Sequence, residues 1–396
     1  MVLSKMAINR ITSNGMTMSQ TTNQTTIHKK FNPDAFKNRE IVNKLAQEIK
    51  LISTRMAPLK IMHICGGHEN AIVRYAIRQF LPAHIKVIAG PGCPVCVCPV
   101  ESIDEAITLA QIPGVTLLTF GDILRVPATN SSLEEARVNG GSVKVVYSPL
   151  DAIKLAQNSP HQTFVFFSVG FETTAAGIAG LIHSGVPKNL FFLIANRYMP
   201  PVLKLLMEVH DDSLQGFLLA GHATAITGLG VYDFMRDEFK LPCATAGFEP
   251  VDILLAIREL LKLIKNDQHQ VINCYSRVIK NEGNLIAQKC IKAVFDLKPG
   301  VWRGIDRVED SAYVLKDKYA FLDARKQLAC NPSYPPQAHH PSCLCHRVML
   351  GEVEPQDCKL FKKACTPSKP FGPCMVSPEG TCHVRYSYSE IKIDSL

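Results

Sequence analysis

Short apolar runs alternate with segments of helical periodicity along most of the chain after residue 58. KIMHIC at 60–65, HIKVIAG at 84–90 and VTLLTFGD at 115–122 have the composition of buried strands. Between them, NAIVRYAIRQFL at 70–81 and ESIDEAITLAQI at 101–112 carry apolar residues at helical spacing. This alternation predicts a parallel sheet with helices on both of its faces.

The same alternation resumes after the glycine-rich turn NGGS at 139–142. Further strand-like runs, most of them followed by a helical pattern, lie at 143–149, 163–170, 189–196, 216–221 and 241–248. The last helical pattern, PVDILLAIRELLKLI at 250–264, begins with proline and keeps one apolar face. We therefore predict an α/β fold with two doubly wound parallel-sheet domains in series, at 33–142 and 143–284.

The two ends of the chain break this rhythm. Residues 1–32 are rich in Ser, Thr, Asn and Gln and contain no acidic residue, which favours a disordered extension, with a transit peptide or an upstream start codon as alternatives. After residue 285 the alternation stops, and six cysteines lie between Cys343 and Cys382. Because such a segment cannot build an ordinary core, residues 285–396 are predicted to form a smaller domain held by a metal or by disulfides.

Composition narrows the class of protein. A chain of 396 residues that is 46% hydrophobic and 20% charged is typical of a globular protein. The net charge of +8 is spread along the chain without a basic, aromatic-rich block, which argues against nucleic-acid binding. The sequence contains no run of 18 apolar residues, so a membrane span is not predicted. Fourteen cysteines without a secretory signal favour metal or redox chemistry in a reducing, cytoplasmic compartment.

Glycine beside a polar or sulfur side chain recurs where the predicted strands end. The six junctions are CGGHEN at 65–70, GPGCPVC at 90–96, FGDILRVP at 120–127, GFETT at 170–174, GHAT at 221–224 and AGFEP at 246–250. Ligands of open parallel sheets bind outside the carboxyl ends of the strands, so these junctions predict a shared cleft.

Two of these loops contain the cysteines of greatest chemical interest. Cys65 precedes a predicted helix, whose N-terminus lowers the pKa of a thiol, and His68 lies three residues on where it could pair with the thiolate. Cys65 is therefore a nucleophile or a soft-metal ligand, with a buried structural cysteine as the equal alternative. Cys93 and Cys96 have the spacing of a redox dithiol, although a zinc knuckle or an inert turn has the same pattern.

The cysteines near the carboxyl end give the strongest metal signal. One choice of four is Cys343, Cys358, Cys365 and Cys382. Four thiolates suit zinc or an iron–sulfur cluster, and disulfides are the rival explanation.

Three carboxylates at strand ends are candidate general acids or bases. They are Asp122, Glu172 and Glu249, and for each the alternative is a helix cap or a solvated loop charge. Asn196 and Arg197 end another strand.

Taken together, these stretches resemble the HypD family of hydrogenase maturation factors. The motifs that carry the resemblance are CGGHE at 65–69, GPGCPVCV at 90–97, FGDILRVP at 120–127, VYSPLDAIKLA at 146–156, GFETT at 170–174, GH at 221–222, AGFEP at 246–250, EGN and AQ within 282–288, and GEVEPQDCKLFKKACTPSKPFGPCMVSPEGTC at 351–382. The resemblance covers about residues 33–390.

The resemblance implies two α/β domains and a third domain that carries a 4Fe-4S cluster. It implies a scaffold on which the Fe(CN)2(CO) group of NiFe-hydrogenases is assembled, together with the small chaperone HypC. Cyanide would come from HypE, which is supplied by HypF, and the finished group would go to the hydrogenase large subunit.

The resemblance also implies roles for individual residues. Cys65 looks like the ligand of the iron that carries CN and CO, with His68 beside it, and Cys93 with Cys96 looks like the family's redox dithiol. Cys343, Cys358, Cys365 and Cys382 look like the cluster ligands, and Cys345 with Cys374 looks like a second thiol pair.

This chain departs from the family pattern at several positions near the predicted cleft. These positions are Asn70, Cys98, Ala175, Ala176, Arg197 and His346. Two other functions remain as alternatives. A stand-alone thiol–disulfide oxidoreductase would use Cys93 and Cys96, and a zinc-stabilised binding module would have no electron chemistry.

Overall fold

The computed structural model describes residues 37–210, 213–328, 330–332 and 340–388. The predicted extension at 1–32 lies outside these residues. The strands are β1 Leu59–His63, β2 Ile85–Ala89, β3 Val115–Thr119, β4 Val143–Val145, β5 Thr163–Ser168, β6 Leu190–Ile194, β7 Gly216–Ala220, β8 Cys243–Ala246, β9 Val271–Asn273, β10 Phe295–Trp302 and β11 Asp306–Leu315.

The helices lie mainly between the strands. They are α1 Arg39–Ile52, α2 Gly66–Arg74, α3 Val100–Ala110, α4 Leu133–Val138, α5 Pro149–Asn158, α6 Glu172–Ser184, α7 Pro200–His210, α8 Gly221–Thr227, α9 Asp233–Asp237, α10 Pro250–Lys265, α11 Leu285–Val294, α12 Ala324–Gln327, α13 Cys345–Met349, α14 Pro373–Val376 and α15 Thr381–Tyr388. Among the described residues, no helix is both long and apolar enough to cross a membrane.

Two parallel sheets form the framework, which confirms the predicted α/β class. One sheet has five strands in the order β2-β1-β7-β8-β9, and the other has four in the order β4-β3-β5-β6. Every strand pairing within these two sheets is parallel. The carboxyl ends of the strands in each sheet therefore share one edge, where the glycine-containing loops follow.

The chain does not build the two sheets in series as predicted. It forms β1 and β2, then the whole four-stranded sheet, and only then returns to place β7 beside β1, with Ile61 opposite Gly216. The expected boundary between residues 142 and 143 lies inside the four-stranded sheet, because Leu117 of β3 is opposite both Val143 and Val165. An apolar strand pattern shows that a strand is buried but does not specify its neighbours.

The predicted boundary at residue 285 is also displaced. Helix α11 and the antiparallel hairpin β10–β11 share a buried core with the four-stranded sheet, in which Val294, Phe295 and Tyr313 pack with Phe166 and Phe192. The cysteine-rich segment is therefore confined to residues 340–388 of the described chain and consists of short helices and turns.

Local sequence explains where the helices begin. Helices α5 and α10 each start with proline after a capping box, formed by Ser148 with Asp151 and by Glu249 with Asp252. Helix α2 begins at Gly66, four residues before the predicted start at residue 70, and is followed by Ala76 in the left-handed region at φ 49°. This early start makes Cys65 the residue that caps α2.

Candidate thiol and metal site

The loops that follow β1 and β2 close tightly around Cys65. The Gly66 N–H donates to the Gly92 carbonyl at 2.9 Å. A side chain at position 92 would collide with the backbone of Cys65, which explains why this loop needs glycine there. Cys65 is 3% exposed. The first two strand ends of the five-stranded sheet thus place one thiol in a buried, narrowly defined position.

Burial raises the pKa of the Cys65 thiol to about 12, which contradicts the lowered pKa expected for a cysteine at a helix N-terminus. The neighbouring Glu379 carboxylate raises the pKa further, whereas the backbone N–H groups of His68 and Gly67 lower it. Removal of the thiolate from water outweighs the two N–H groups. In the absence of a metal, Cys65 is a protonated thiol at neutral pH.

His222, rather than His68, is the imidazole beside this sulfur. The Nδ1 of His222 lies 4.0 Å from Cys65 Sγ. The Nε2–H of His68 instead donates to the carbonyls of Ala246 (3.2 Å) and Gly247 (3.0 Å). Burial lowers the pKa of His68 to about 3, so the ring is neutral. The expected pairing of His68 with the thiolate is wrong, because the ring is already engaged with the loop after β8.

Phe248 joins the two histidines into one wall of the cleft. Its ring centroid lies 5.1 Å from that of His68 and 5.3 Å from that of His222. The loops after β1, β7 and β8 therefore meet around Cys65. The sequence signal was the GH pair at 221–222, which the resemblance included without assigning it a role.

Glu69 holds the carboxyl-terminal helix against this site. Its carboxylate accepts from Arg78 at 2.6 Å, from His63 at 2.8 Å and from Arg385 of α15 at 2.9 Å. Burial by itself would raise the pKa of Glu69, but Arg78, His63 and Arg385 hold it well below its usual range. The buried carboxylate is therefore ionised and fully partnered.

Glu379 is the residue of the site that sequence reasoning missed. A Cβ on Gly66 would lie 2.5 Å from the Glu379 Cβ, so the loop before α15 rests directly on the start of α2. Asn70, which the resemblance suggested to be a departure from the family pattern, donates to the Pro378 carbonyl of this loop at 3.3 Å. Partial burial raises the pKa of Glu379, and Asp122 raises it further. Its only sequence signal was the position of SPEGTC between two cysteines.

Cys93 and Cys96 are joined in a disulfide, with their Cα atoms 5.2 Å apart. The pair expected from the C-x-x-C spacing is thus close enough to bond, and both residues are buried. Cys98 is a separate, fully buried thiol. Burial raises its pKa to about 12, although Arg197, Arg303 and Arg325 oppose this shift. The backbone N–H of Arg303 donates to the Val97 carbonyl at 3.0 Å and so fixes this end of the loop.

The cysteine-rich segment folds around a small cavity of about 10 Å³. Its lining consists of Cys343, Cys345, Cys358, Phe361, Cys365, Gly372, Met375 and Cys382. All four cysteines predicted as cluster ligands are present, and Cys345 joins them. Cys374 lies next to this set, since its Sγ accepts from the Cys382 N–H at 3.2 Å. Disulfides, the rival explanation for this segment, do not form among its described cysteines.

Thiols in this cavity contact one another in pairs. Hydrogen bonding with Cys345 lowers the pKa of Cys343 to about 7, and the same contact raises that of Cys345. Hydrogen bonding with Cys374 raises the pKa of Cys382. Within the described ranges, no three His, Cys, Asp or Glu side chains converge on a position for a single metal ion. The thiols surround a space rather than meet at a point.

Glu172 lies at the end of β5 in the four-stranded sheet, in a different environment from Cys65. Its Oε1 accepts from the Met199 N–H at 2.7 Å, and its Oε2 is buried with no hydrogen-bond partner in the described chain. Burial raises the pKa of Glu172 to about 7. Burial raises the pKa of Tyr198, Tyr232 and Tyr313, and the nearby Glu172 carboxylate raises it further. The titratable side chains near Glu172 are therefore tyrosines rather than thiols.

The remaining predicted polar residues have structural contacts. Glu249 caps α10, which is the alternative interpretation made from the sequence. Asp122 lies at a single turn of 3-10 helix and faces Glu379. Asn196 accepts from the Ser168 hydroxyl at 2.6 Å, and Arg197 donates to the Val301 carbonyl at 2.8 Å. Arg197 thus connects the hairpin to the edge of the four-stranded sheet.

Comparison with known proteins identifies the family. The family model HypD, described as "Hydrogenase formation hypA family", matches residues 40–389. A putative hydrogenase expression/formation protein of Methanocaldococcus jannaschii is 40% identical over 358 residues, 89% of this chain and 99% of that protein. The hydrogenase maturation factor HypD of Escherichia coli is 36% identical, over 90% of this chain and 98% of that protein. The HypD of Rhizobium leguminosarum is also 36% identical, over 91% of this chain and 96% of that protein. The chain therefore belongs to the HypD family of hydrogenase maturation factors.

Proposed function

We propose that this hydrogenase maturation factor is a scaffold with redox capacity on which, together with a HypC-type chaperone, the Fe(CN)2(CO) group is assembled before transfer to the hydrogenase large subunit. HypE would supply the cyanide. The observation that carries the proposal is the convergence of strand-end loops on Cys65, a single buried thiol next to a disulfide-bearing loop and beneath the cysteine-rich segment.

The environment of Cys65 supports a role as ligand to the iron cargo. A thiolate is a soft ligand that suits low-spin iron, and metal binding would displace the proton from this high-pKa thiol. The backbone N–H groups of Gly67 and His68 face the sulfur and would stabilise it as a thiolate. The walls formed by Phe248 and His222 restrict access of water.

The cysteine-lined cavity supports a 4Fe-4S cluster rather than a single zinc ion. In such a cluster each of four thiolates binds a different iron, so the ligands surround a cavity as these cysteines do. Cys343, Cys358, Cys365 and Cys382 would hold the cluster. Cys345 and Cys374, which contact Cys343 and Cys382 respectively, would remain as the second thiol pair. When bound, the cluster would supply electron transfer.

The Cys93–Cys96 disulfide gives the scaffold a place to store two electrons. Its reduction would take up two electrons and two protons and yield two thiols. Arg303 links this loop to the cysteine cavity. Burial lowers the pKa of its guanidinium, whereas Cys345 of the cavity and Cys98 of the loop raise it.

Anaerobic co-purification with the small chaperone tests the proposal. We expect a brown protein with about four cluster irons per chain, and infrared bands from iron-bound cyanide and CO. The variant Cys65→Ser should keep the cluster and lose the infrared bands. Cys290→Ser, on α11 outside the site, is the control and should keep both. A colourless protein with one equivalent of zinc, or joint loss of cluster and bands in the Cys65 variant, would contradict the proposal.

A further inference from the structure

A basic loop covers one side of the cysteine cavity, so the positive charge is less evenly spread than expected from the sequence. This lysine loop, residues 358–371, has the sequence CKLFKKACTPSKPF and carries Lys359, Lys362, Lys363 and Lys369. It contains no acidic residue, and neither do the seven residues that follow it. All four lysines are exposed, whereas Cys358, Phe361 and Cys365 are buried and line the cavity. The same short segment thus presents thiols inward and positive charge outward.

Backbone hydrogen bonds fix the shape of the lysine loop. The Cys365 N–H donates to the Leu360 carbonyl at 2.9 Å, and Thr366 and Lys369 exchange backbone hydrogen bonds at 3.0 and 3.2 Å. The Arg125 guanidinium donates to the Pro367 carbonyl at 2.9 Å and adds a fifth exposed positive charge beside the loop. A fixed backbone keeps these charges together on one surface.

The charges of the lysine loop are largely uncompensated. Lys359, Lys363 and Lys369 form no ion pair with any carboxylate of the described residues, and Lys362 lies 5.9 Å from the centre of the Tyr386 ring. Of the carboxylates that border the loop, Glu354 pairs with Arg385 and Glu352 pairs with Arg347. Asp357 accepts from the Glu354 N–H, a hydrogen bond that leaves its negative charge in place. One negative charge against five positive charges leaves the surface with a local positive field.

We propose that the lysine loop is the docking surface for a small acidic one-electron carrier protein of the ferredoxin type. Complementary charge would steer the carrier to this face and orient its redox centre toward the cavity. The carrier would lose one electron and the group held by the cavity cysteines would gain it, with no bond made or broken. The docking surface rests on the charge pattern, and only the electron acceptor rests on the proposed function.

Binding of an acidic plant-type ferredoxin to the full chain, measured by surface plasmon resonance under anaerobic conditions, tests the proposal. The triple variant K359E/K363E/K369E should raise the Kd about tenfold, because three charges that attract the acidic carrier become charges that repel it. Added salt should weaken binding of the parent chain and should have little effect on the variant. A second variant with glutamine at the same three positions should show a smaller loss in the same direction and guards against misfolding.

Three exposed lysines outside the cysteine-rich segment provide a matched control. Lys144, Lys154 and Lys188 are exposed residues of the four-stranded sheet and its connections, and K144E/K154E/K188E makes the same change in net charge. Equal weakening by both triple variants would overturn the proposal. Equally tight, loop-dependent binding of a DNA oligonucleotide or of anionic phospholipid vesicles would also overturn it, since the loop would then be a general anion surface.

The docking proposal and the proposed function are tested by separate measurements. Iron and sulfide analysis of the same preparations reports whether the cavity holds a cluster, whereas the Kd reports only on the surface. In preparations that contain the cluster, reduced ferredoxin at low concentration should reduce the cluster of K359E/K363E/K369E more slowly than that of the parent chain. The rate should fall by the same factor as the affinity.

Discussion

At the scale of single residues, burial decides the protonation state more strongly than the local motif does. Cys65 has the backbone N–H groups of a helix N-terminus around its sulfur, yet its pKa is raised to about 12. Glu172 also begins a helix, and its pKa is raised to about 7. In both cases, removing the charged form from water costs more free energy than hydrogen bonds from two backbone N–H groups recover.

Glu172 should make the stability of the fold depend on pH. Its pKa is about 7 in the folded chain and about 4.5 when the chain is unfolded, so the folded state holds the proton more tightly. The contribution is fully present below pH 4.5, is lost as pH rises through 7, and amounts to about 3 kcal/mol at most. Glu172→Gln should remove this dependence, so the variant should gain stability relative to the parent between pH 5 and pH 8 in urea unfolding.

The control for this measurement is Glu134→Gln, a half-buried residue that pairs with Arg137 on α4. This variant should change the free energy of unfolding by less than about 0.5 kcal/mol across the same pH range. A pH profile of the Glu172 variant that parallels that of the parent chain would show that the carboxyl is ionised in the fold.

At the scale of elements, one carboxylate connects the start of the site to the end of the chain. Glu69 lies on α2 directly after the cysteine loop, and Arg385 reaches it from α15. Because Arg78 and His63 also contact Glu69, loss of the carboxylate and loss of one arginine are different perturbations.

Glu69→Gln should be more destabilising than Arg385→Met. The first substitution leaves two guanidiniums without their buried partner and should reduce the free energy of unfolding by about 3 kcal/mol. The second leaves Glu69 paired with Arg78 and His63 and should cost about 1 kcal/mol. Arg347→Met, which breaks the exposed pair with Glu352, serves as the control and should cost less than about 0.5 kcal/mol. Equal effects of the first two variants in urea unfolding would argue against the network.

At the scale of the whole molecule, the cysteine-rich segment differs from the sheets in what holds it. Residues 340–388 contain short helices and turns, and their thiols share one cavity. Each sheet has an apolar core of its own, and a further core joins both sheets to Val348, Met375 and Val376 of the segment. Because the segment otherwise consists of short helices and turns, its stability should depend more than that of the sheets on whatever its thiols bind.

Removal of metal should loosen this segment selectively. Chelation of iron from the anaerobically prepared protein, or the variant Cys358→Ser, should increase amide hydrogen exchange in residues 340–388 about tenfold or more. Exchange in β5 and β7 should stay unchanged, which provides an internal control. A uniform increase across the sheets, or no increase in the segment, would show that its thiols do not hold it together.

The sequence by itself determined the strands, the helices and the loops that carry the chemistry. Apolar runs and helical periods placed nearly every element of the two sheets, and C-x-x-C spacing anticipated the Cys93–Cys96 pair. These features depend on residues close together in the chain, where periodicity and spacing are informative. Family resemblance supplied the grouping of the distant cysteines, which spacing alone left open.

Only the tertiary structure decided which strands share a sheet and which side chains surround each thiol. The return of β7 to β1 brings His222 to Cys65, and the end of the chain brings Glu379 to Gly66. His68 meanwhile turns to the loop after β8. These partners are far apart in sequence, and the sign of the pKa shift at Cys65 depends on complete burial. A local pattern predicts that a strand is buried, but it does not predict which distant side chains surround one thiol or how completely they remove it from water, because both arise only when separate elements pack together.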